Sequence, residues 1–146
     1  MKHQIARSAL VQHSAAQMYA LVNDIDLYQE FLPWCGSSKV LSHDGNEMVA
    51  SVEIAFKGIR KTFTTRNTLT EDTRIDLALV DGPFSELTGT WEFKPISDQA
   101  CRISLNLGFG FSNKLVERLL GPVFKKIADS MVDSFCKRAD EIYTEV

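Results

Sequence analysis

The stretch 112–143, SNKLVERLLGPVFKKIADSMVDSFCKRADEIY, decides the fold, because it is the one long segment with clean helical periodicity. Apolar side chains recur at Leu115, Val116, Leu119, Leu120, Val123, Phe124, Ile127, Ala128, Met131, Val132, Phe135, Cys136, Ala139, Ile142 and Tyr143. The set from Val123 onward covers roughly half the helix circumference, wider than the ~100° stripe of an ordinary surface helix. Lys126, Asp129, Asp133, Lys137 and Asp140 take the opposite side. A helix with so much apolar face either sits deep in a concave sheet or lines a cavity with part of it. One uninterrupted helix would be roughly 48 Å long, against a diameter of about 38 Å for a domain of this size. Gly121-Pro122 offers a break, since proline removes a backbone donor and clashes with the preceding turn. The expectation is a short helix before Gly121, a kink, and a main helix from Pro122 to Tyr143.

Immediately upstream, from Ser37 to Phe111, the period changes to two, and six strands are expected. Ser37–His43 and Glu47–Phe56 are joined by Asp44-Gly45, a strong hairpin signal. Lys57-Gly58 turns into Ile59–Thr70, and Glu71-Asp72 into Arg74–Asp81. After the break at Gly82-Pro83 come Phe84–Lys94, a loop from Pro95 to Gln99, and Ala100–Phe111. Further back, residues 3–12 read as a first strand. Ser14-Ala15-Ala16-Gln17 has the form of a capping box, which starts a helix at Ala15. Asp24 is placed to cap a second short helix, Ile25 to Phe31, which Pro33 ends. Seven strands cannot stay flat, and one wide-faced helix is the natural filler of the concave side. The class is therefore α+β with a helix-grip architecture: a curved antiparallel sheet of about seven strands wrapped around a long C-terminal helix, with two short helices after strand 1.

The 146 residues make one expected domain, 1–146. Hydrophobic residues at 45% and charged residues at 24% exclude a disordered chain. A net charge of −3 excludes a polycation, and DNA is not an expected partner. Charge is nevertheless uneven. Lys57, Arg60, Lys61 and Arg66 fall within ten residues that hold no acid. This is either a solvated sheet face or a patch for an anionic partner. Cys35, Cys101 and Cys136 form no CxxC pairing, which fits a reducing, cytoplasmic setting. No segment approaches the ~20 apolar residues of a membrane span, which leaves peripheral contact with a membrane surface open.

Several motifs carry a resemblance. Met18-Tyr19-Ala20-Leu21-Val22-Asn23-Asp24-Ile25-Asp26-Leu27-Tyr28, with Phe31-Leu32-Pro33-Trp34-Cys35, is similar to the opening signature of one START-like family. Phe56-Lys57-Gly58-Ile59, Phe63-Thr64-Thr65-Arg66-Asn67, Asp81-Gly82-Pro83-Phe84 and Trp91-x-Phe93 preceded by Gly89 resemble its central motifs. Gly121-Pro122-Val123-Phe124 and Phe135-Cys136-Lys137-Arg138-Ala139 resemble its final helix. The family is that of the coenzyme Q-binding proteins and the ribosome association toxin RatA, with polyketide cyclases as more distant relatives. The resemblance implies a START-like, Bet v-like fold with a hydrophobic tunnel between sheet and long helix. It implies binding of ubiquinone or a similar isoprenoid lipid in support of respiration, with no cofactor required. It also implies, as an alternative or coexisting role, binding to the 50S ribosomal subunit that blocks 70S formation, with a cognate antitoxin.

The residues give these roles unequal support. The expected lining of a hydrophobic-ligand site is Phe31, Leu32 and Trp34 at the mouth; Ile54, Phe63, Leu77, Leu79, Leu87, Trp91, Phe93, Leu105 and Leu107 on the sheet; and Phe124, Ala128, Met131 and Phe135 on the helix. The Pro33-Trp34-Cys35 turn is placed to act as a lid. Arg138, at the margin of the apolar arc, either bonds a ligand head group or snorkels to an acid. Ribosome binding would use Lys57, Arg60, Lys61 and Arg66 against phosphates, with Lys114, Arg118, Lys125 and Lys126 as a second patch. No catalytic residue is assigned. His3, His13 and His43 lie at strand ends or turns and read as solvated surface histidines, and no nucleophile motif accompanies them. No metal-ligand spacing occurs. A cyclase-type enzyme is the least favoured reading, because it needs an acid–base pair in the pocket.

Overall fold

The computed structural model describes residues 2–143 of the chain. Strand β1 (Lys2–Val11) opens it, and α1 (Ala15–Asn23) follows. Ser14 caps α1 as its spacing predicts. Its Oγ accepts from the Gln17 N–H at 3.1 Å, and Gln17 Oε1 accepts from the Ser14 N–H at 2.9 Å. The next segment differs from expectation. It forms a 3-10 turn, Ile25–Leu27, and one α-turn, α2 (Tyr28–Phe31), and Asp24 makes no side-chain cap. Asp26 is the working carboxylate: its Oδ1 accepts from the Val40 N–H at 2.9 Å, tying the segment to the adjoining strand.

Six strands follow: β2 (Cys35–Asp44), β3 (Glu47–Phe56), β4 (Ile59–Thr70), β5 (Arg74–Asp81), β6 (Phe84–Ser97) and β7 (Ala100–Phe111). With β1 they make one antiparallel sheet in the order β1-β7-β6-β5-β4-β3-β2. Lys57 and Gly58 both adopt positive φ, 50° and 84°, the primed turn that matches strand twist. Irregularities between Val40 and Ser42, Thr64 and Thr65, and Phe84 and Glu86 interrupt the ladders. Such bulges bend strands and raise their twist, so the sheet curls. The loop expected from Pro95 is instead the end of β6. The ladder to β7 is irregular between Pro95 and Ser97, where a missing N–H is tolerated.

Helix α3 (Lys114–Ile142) runs unbroken for 29 residues, about 44 Å. This corrects the expected division at Gly121-Pro122. Pro122 lies inside the helix and is exposed, so the carbonyl it leaves without a donor faces outward, where water can meet it. The domain diameter does not limit the helix either, because its first turns are covered on one side only. Leu115 and Leu119 are 64% and 59% exposed. Asn113 caps the helix, with Oδ1 accepting from the Val116 N–H at 2.9 Å. From Leu120 onward, Phe124, Ile127, Ala128, Val132, Phe135 and Ala139 are buried. Phe135 sits 5.3–5.5 Å, centroid to centroid, from Tyr28, Phe31 and Trp91, and Phe124 sits 4.8 Å from Phe84 and Phe109. The architecture is thus the α+β helix-grip arrangement.

Candidate functional site

A cavity with about 780 Å³ of empty space, part of it open to solvent, lies between α3 and the sheet. Its wall is drawn from Val22, Asn23, Ile25, Tyr28 and Trp34 at the α1–α2 end, Ala50 and Val52 on β3, and Phe63, Thr65 and Asn67 on β4. Ile75 and Leu77 on β5, Leu87 and Trp91 on β6, Leu105 and Leu107 on β7, and Phe124, Ile127, Ala128 and Met131 on α3 complete it. Gly89 leaves room for two of these leucines: a Cβ there would meet Leu107 Cδ1 at 2.8 Å and Leu77 Cδ1 at 3.5 Å.

Of the residues expected to line it, Trp34, Phe63, Leu77, Leu87, Trp91, Leu105, Leu107, Phe124, Ala128 and Met131 are on the wall. Phe31, Leu32, Ile54, Leu79, Phe93 and Phe135 are not, and each is held elsewhere. Phe31 packs edge-on against Tyr28 and Phe135. Leu32 is buried where its N–H donates to the Tyr28 carbonyl, closing α2. Ile54 is buried opposite Cys35 and Lys61 in the sheet. Leu79 packs at Gly82, beside Phe63. Phe93 is sealed by Tyr19 and Trp91, and Phe135 by three rings. Trp34 is core rather than mouth, so the lid expected of this turn is corrected. Its carbonyl accepts from the Ala55 N–H at 2.7 Å, which clamps the turn onto β3. Thr65 and Asn67 share the inward parity of Phe63, so strand alternation alone could have found them. Val22, Ile25 and Tyr28 continue the helical spacing of Met18 and Leu21 within the opening motif, whereas Asn23 has no periodic signal.

The wall carries no acidic or basic side chain. Its one ionisable group, Tyr28, donates its hydroxyl to the Val22 carbonyl. Burial pushes that phenol far up, with Cys35 and Asp24 adding to the effect, so it stays neutral. Thr65 Oγ1 donates to Asn67 Oδ1 at 2.8 Å. Trp34 Nε1 and Asn23 Oδ1 are buried atoms with no hydrogen-bond partner. The surroundings are an apolar body with a few neutral polar groups and no paired acid and base. Arg138 is outside the cavity: its guanidinium lies 5.1 Å from the Phe31 ring centroid and near Glu30 and Glu141, at 3.9 and 3.8 Å.

The basic stretch divides. Arg60 pairs with Glu53 at 3.0 Å and Arg66 with Glu47 at 2.9 Å, acids that β3 brings alongside. Lys57 and Lys126 flank the Phe56 ring at 5.4 and 5.8 Å, so the hairpin tip and α3 share one basic surface. Among the described residues Lys57, Lys61 and Lys126 form no ion pair. Two histidines are not the solvated groups expected. His3 stacks on Phe109 and pairs with Glu117 at 3.1 Å, and His13 meets Asp140 at 2.7 Å. His43, near the end of β2, is exposed beside the Gly45 carbonyl. Cys35, Cys101 and Cys136 are free thiols. Among the described residues no group of three or more His, Cys, Asp or Glu is placed to hold a metal, and no helix is long and apolar enough to cross a membrane.

A curled sheet gripping one helix over a neutral cavity defines a known class. The profile of the polyketide cyclase/dehydrase and lipid transport family matches residues 11–136, and the chain belongs to that family. Within it, the chain is 51% identical to the ribosome association toxin RatA of Escherichia coli K12 over 141 residues, 97% of this chain and 89% of that one. It is 29% identical to the mitochondrial coenzyme Q-binding protein COQ10 homolog B of Xenopus laevis, over 94% of this chain and 58% of that one. The crystal structure of the Zhui aromatase/cyclase from Streptomyces sp. R1128 superposes with a TM-score of 0.85 over all of both chains at 13% identity, a likeness of fold alone.

Proposed function

We propose that this protein binds a neutral isoprenoid lipid of the ubiquinone type and carries it, without chemistry, in support of respiration. The observation that carries the reading is the cavity wall, which is apolar, holds no charged side chain and offers only neutral hydrogen-bonding groups. A fatty-acid carboxylate or a phosphate head would be desolvated there without a counter-charge. A ring with carbonyl oxygens and an isoprenoid tail meets no such penalty. The same lack of an acid–base pair argues against cyclase chemistry, and the name of the Xenopus relative points the same way. Lipids extracted from the purified protein, identified by mass spectrometry and followed by titration with short-tailed ubiquinone, test it. Protein that yields no lipid and binds no quinone refutes it.

A second role, association with the large ribosomal subunit in the cytoplasm, draws support from the name of the 51% identical relative and from the surface around Phe56. Lys57, Lys61 and Lys126 are the cations available there for phosphates. Overexpression should deplete the 70S peak of a sucrose gradient and place the protein in the 50S fractions. Reversing the three charges should abolish this while quinone binding persists. An unchanged 70S peak with no protein at 50S removes the second role and leaves the first.

A further inference from the structure

The indole of Trp34 has no task in the fold for its one polar atom. The residue is 6% exposed and its Nε1 has no hydrogen-bond partner, yet indole nitrogen can only donate. Leaving a buried donor unmatched is costly, and native structures explain nearly every such group. The ring cannot swing out to find water. Pro33 stiffens the chain before it, the Trp34 carbonyl accepts from Ala55, and the Cys35 N–H donates to the Leu32 carbonyl at 3.0 Å. Trp34 is one of the residues that line the cavity.

A hydrogen-bonded polar pair lies on the same wall. Asn67 is 2% exposed and inward on β4, opposite Met48. Its Oδ1 accepts from Thr65 Oγ1 at 2.8 Å. Asn23 is less constrained, because it stands half-buried at the end of α1. A buried donor without a partner on an otherwise apolar wall calls for a guest bearing an oxygen acceptor.

We infer that Trp34 is the head-group anchor of this cavity, its Nε1–H donating to a carbonyl oxygen of the bound lipid. The inference rests on the quinone reading and adds to it a specificity device. Carbonyl-bearing isoprenoids are held, whereas isoprenoid hydrocarbons, which leave the indole donor unmatched, are not selected.

The test uses the full chain, a short-tailed ubiquinone and farnesene, an isoprenoid hydrocarbon without oxygen. Trp34→Phe keeps an aromatic ring and removes the donor. It should weaken ubiquinone binding roughly tenfold and leave farnesene binding within about twofold. The infrared carbonyl stretch of bound ubiquinone should move to higher frequency in the variant as its hydrogen bond is lost. Equal weakening of both ligands, or an unchanged carbonyl band, overturns the anchor. The unaltered protein supplies a measurement that does not depend on the variant folding. The Trp34 Nε1–H resonance should move downfield on addition of ubiquinone and not on addition of farnesene. A resonance that fails to move while ubiquinone binds overturns the anchor alone, and absence of ubiquinone binding overturns the quinone reading and the anchor with it.

Discussion

Two parts of α3 have the same apolar periodicity and opposite surroundings. In the first turns Leu115 and Leu119 stand 64% and 59% exposed, while further along Phe135 is 0% exposed and ringed by aromatics. The comparison teaches that periodicity specifies a helix and its apolar face but not what covers that face. Coverage comes from the sheet, α1 and α2, and it ends where they end. The cavity lies under the middle of the same helix, where Phe124, Ile127, Ala128 and Met131 are neither exposed nor fully packed by neighbours. One helix therefore passes from bare surface to cavity wall to closed core.

The contrast can be broken first at its buried end. Phe135→Ala removes a ring that three others enclose and should cost about 3–5 kcal/mol of stability in urea unfolding. A loss under about 1 kcal/mol would mean that the closed core is not closed. Chemistry at Cys136, one residue on, gives an independent reading. Burial, reinforced by Asp133 and Asp140, pushes this thiol up to about 11. Its alkylation near neutral pH should be slower than that of an ordinary cysteine by on the order of a hundredfold. The rate should go on rising with pH until about 11, where an ordinary thiol would already have levelled off. Pro122 tests the boundary between the two regions. In Pro122→Ala the interior helix hydrogen bond is restored, worth up to ~3 kcal/mol, less ~1 kcal/mol for the looser unfolded chain. The melting temperature should therefore rise, by the equivalent of about 1–2 kcal/mol. The bare end gives the smallest effect: Leu119→Ala should leave stability within about 0.5 kcal/mol. A larger loss would reveal a covering that the isolated chain lacks.

Much of the fold could be read beforehand. Alternation and turn chemistry located the strands, as at Lys57-Gly58, and the S-x-x-Q box located α1. The candidate site was only half legible. Trp91 and Phe93 have the same parity on one strand, yet Trp91 is on the cavity wall while Phe93 is sealed under Tyr19. Parity chooses a side of the sheet, and only the position of α1 separates void from filler. Arg60 and Arg66 teach the same point for charge. No acid neighbours them in sequence, but strand pairing brings Glu53 and Glu47 alongside.

What the amino-acid sequence determined by itself was local: hydrophobic period, hairpin turns, the cap of α1, and the amphipathic character of residues 112–143. These follow from short-range sterics and from the periodicity of side chains along one element, which a linear reading contains. Tertiary structure alone decided that α3 stays whole through Pro122, that Arg60 and Arg66 are neutralised, and that Trp34 is buried at the cavity wall with a donor left without a partner. Each of these depends on which distant residue arrives alongside, and a single strand or helix carries no record of its neighbours.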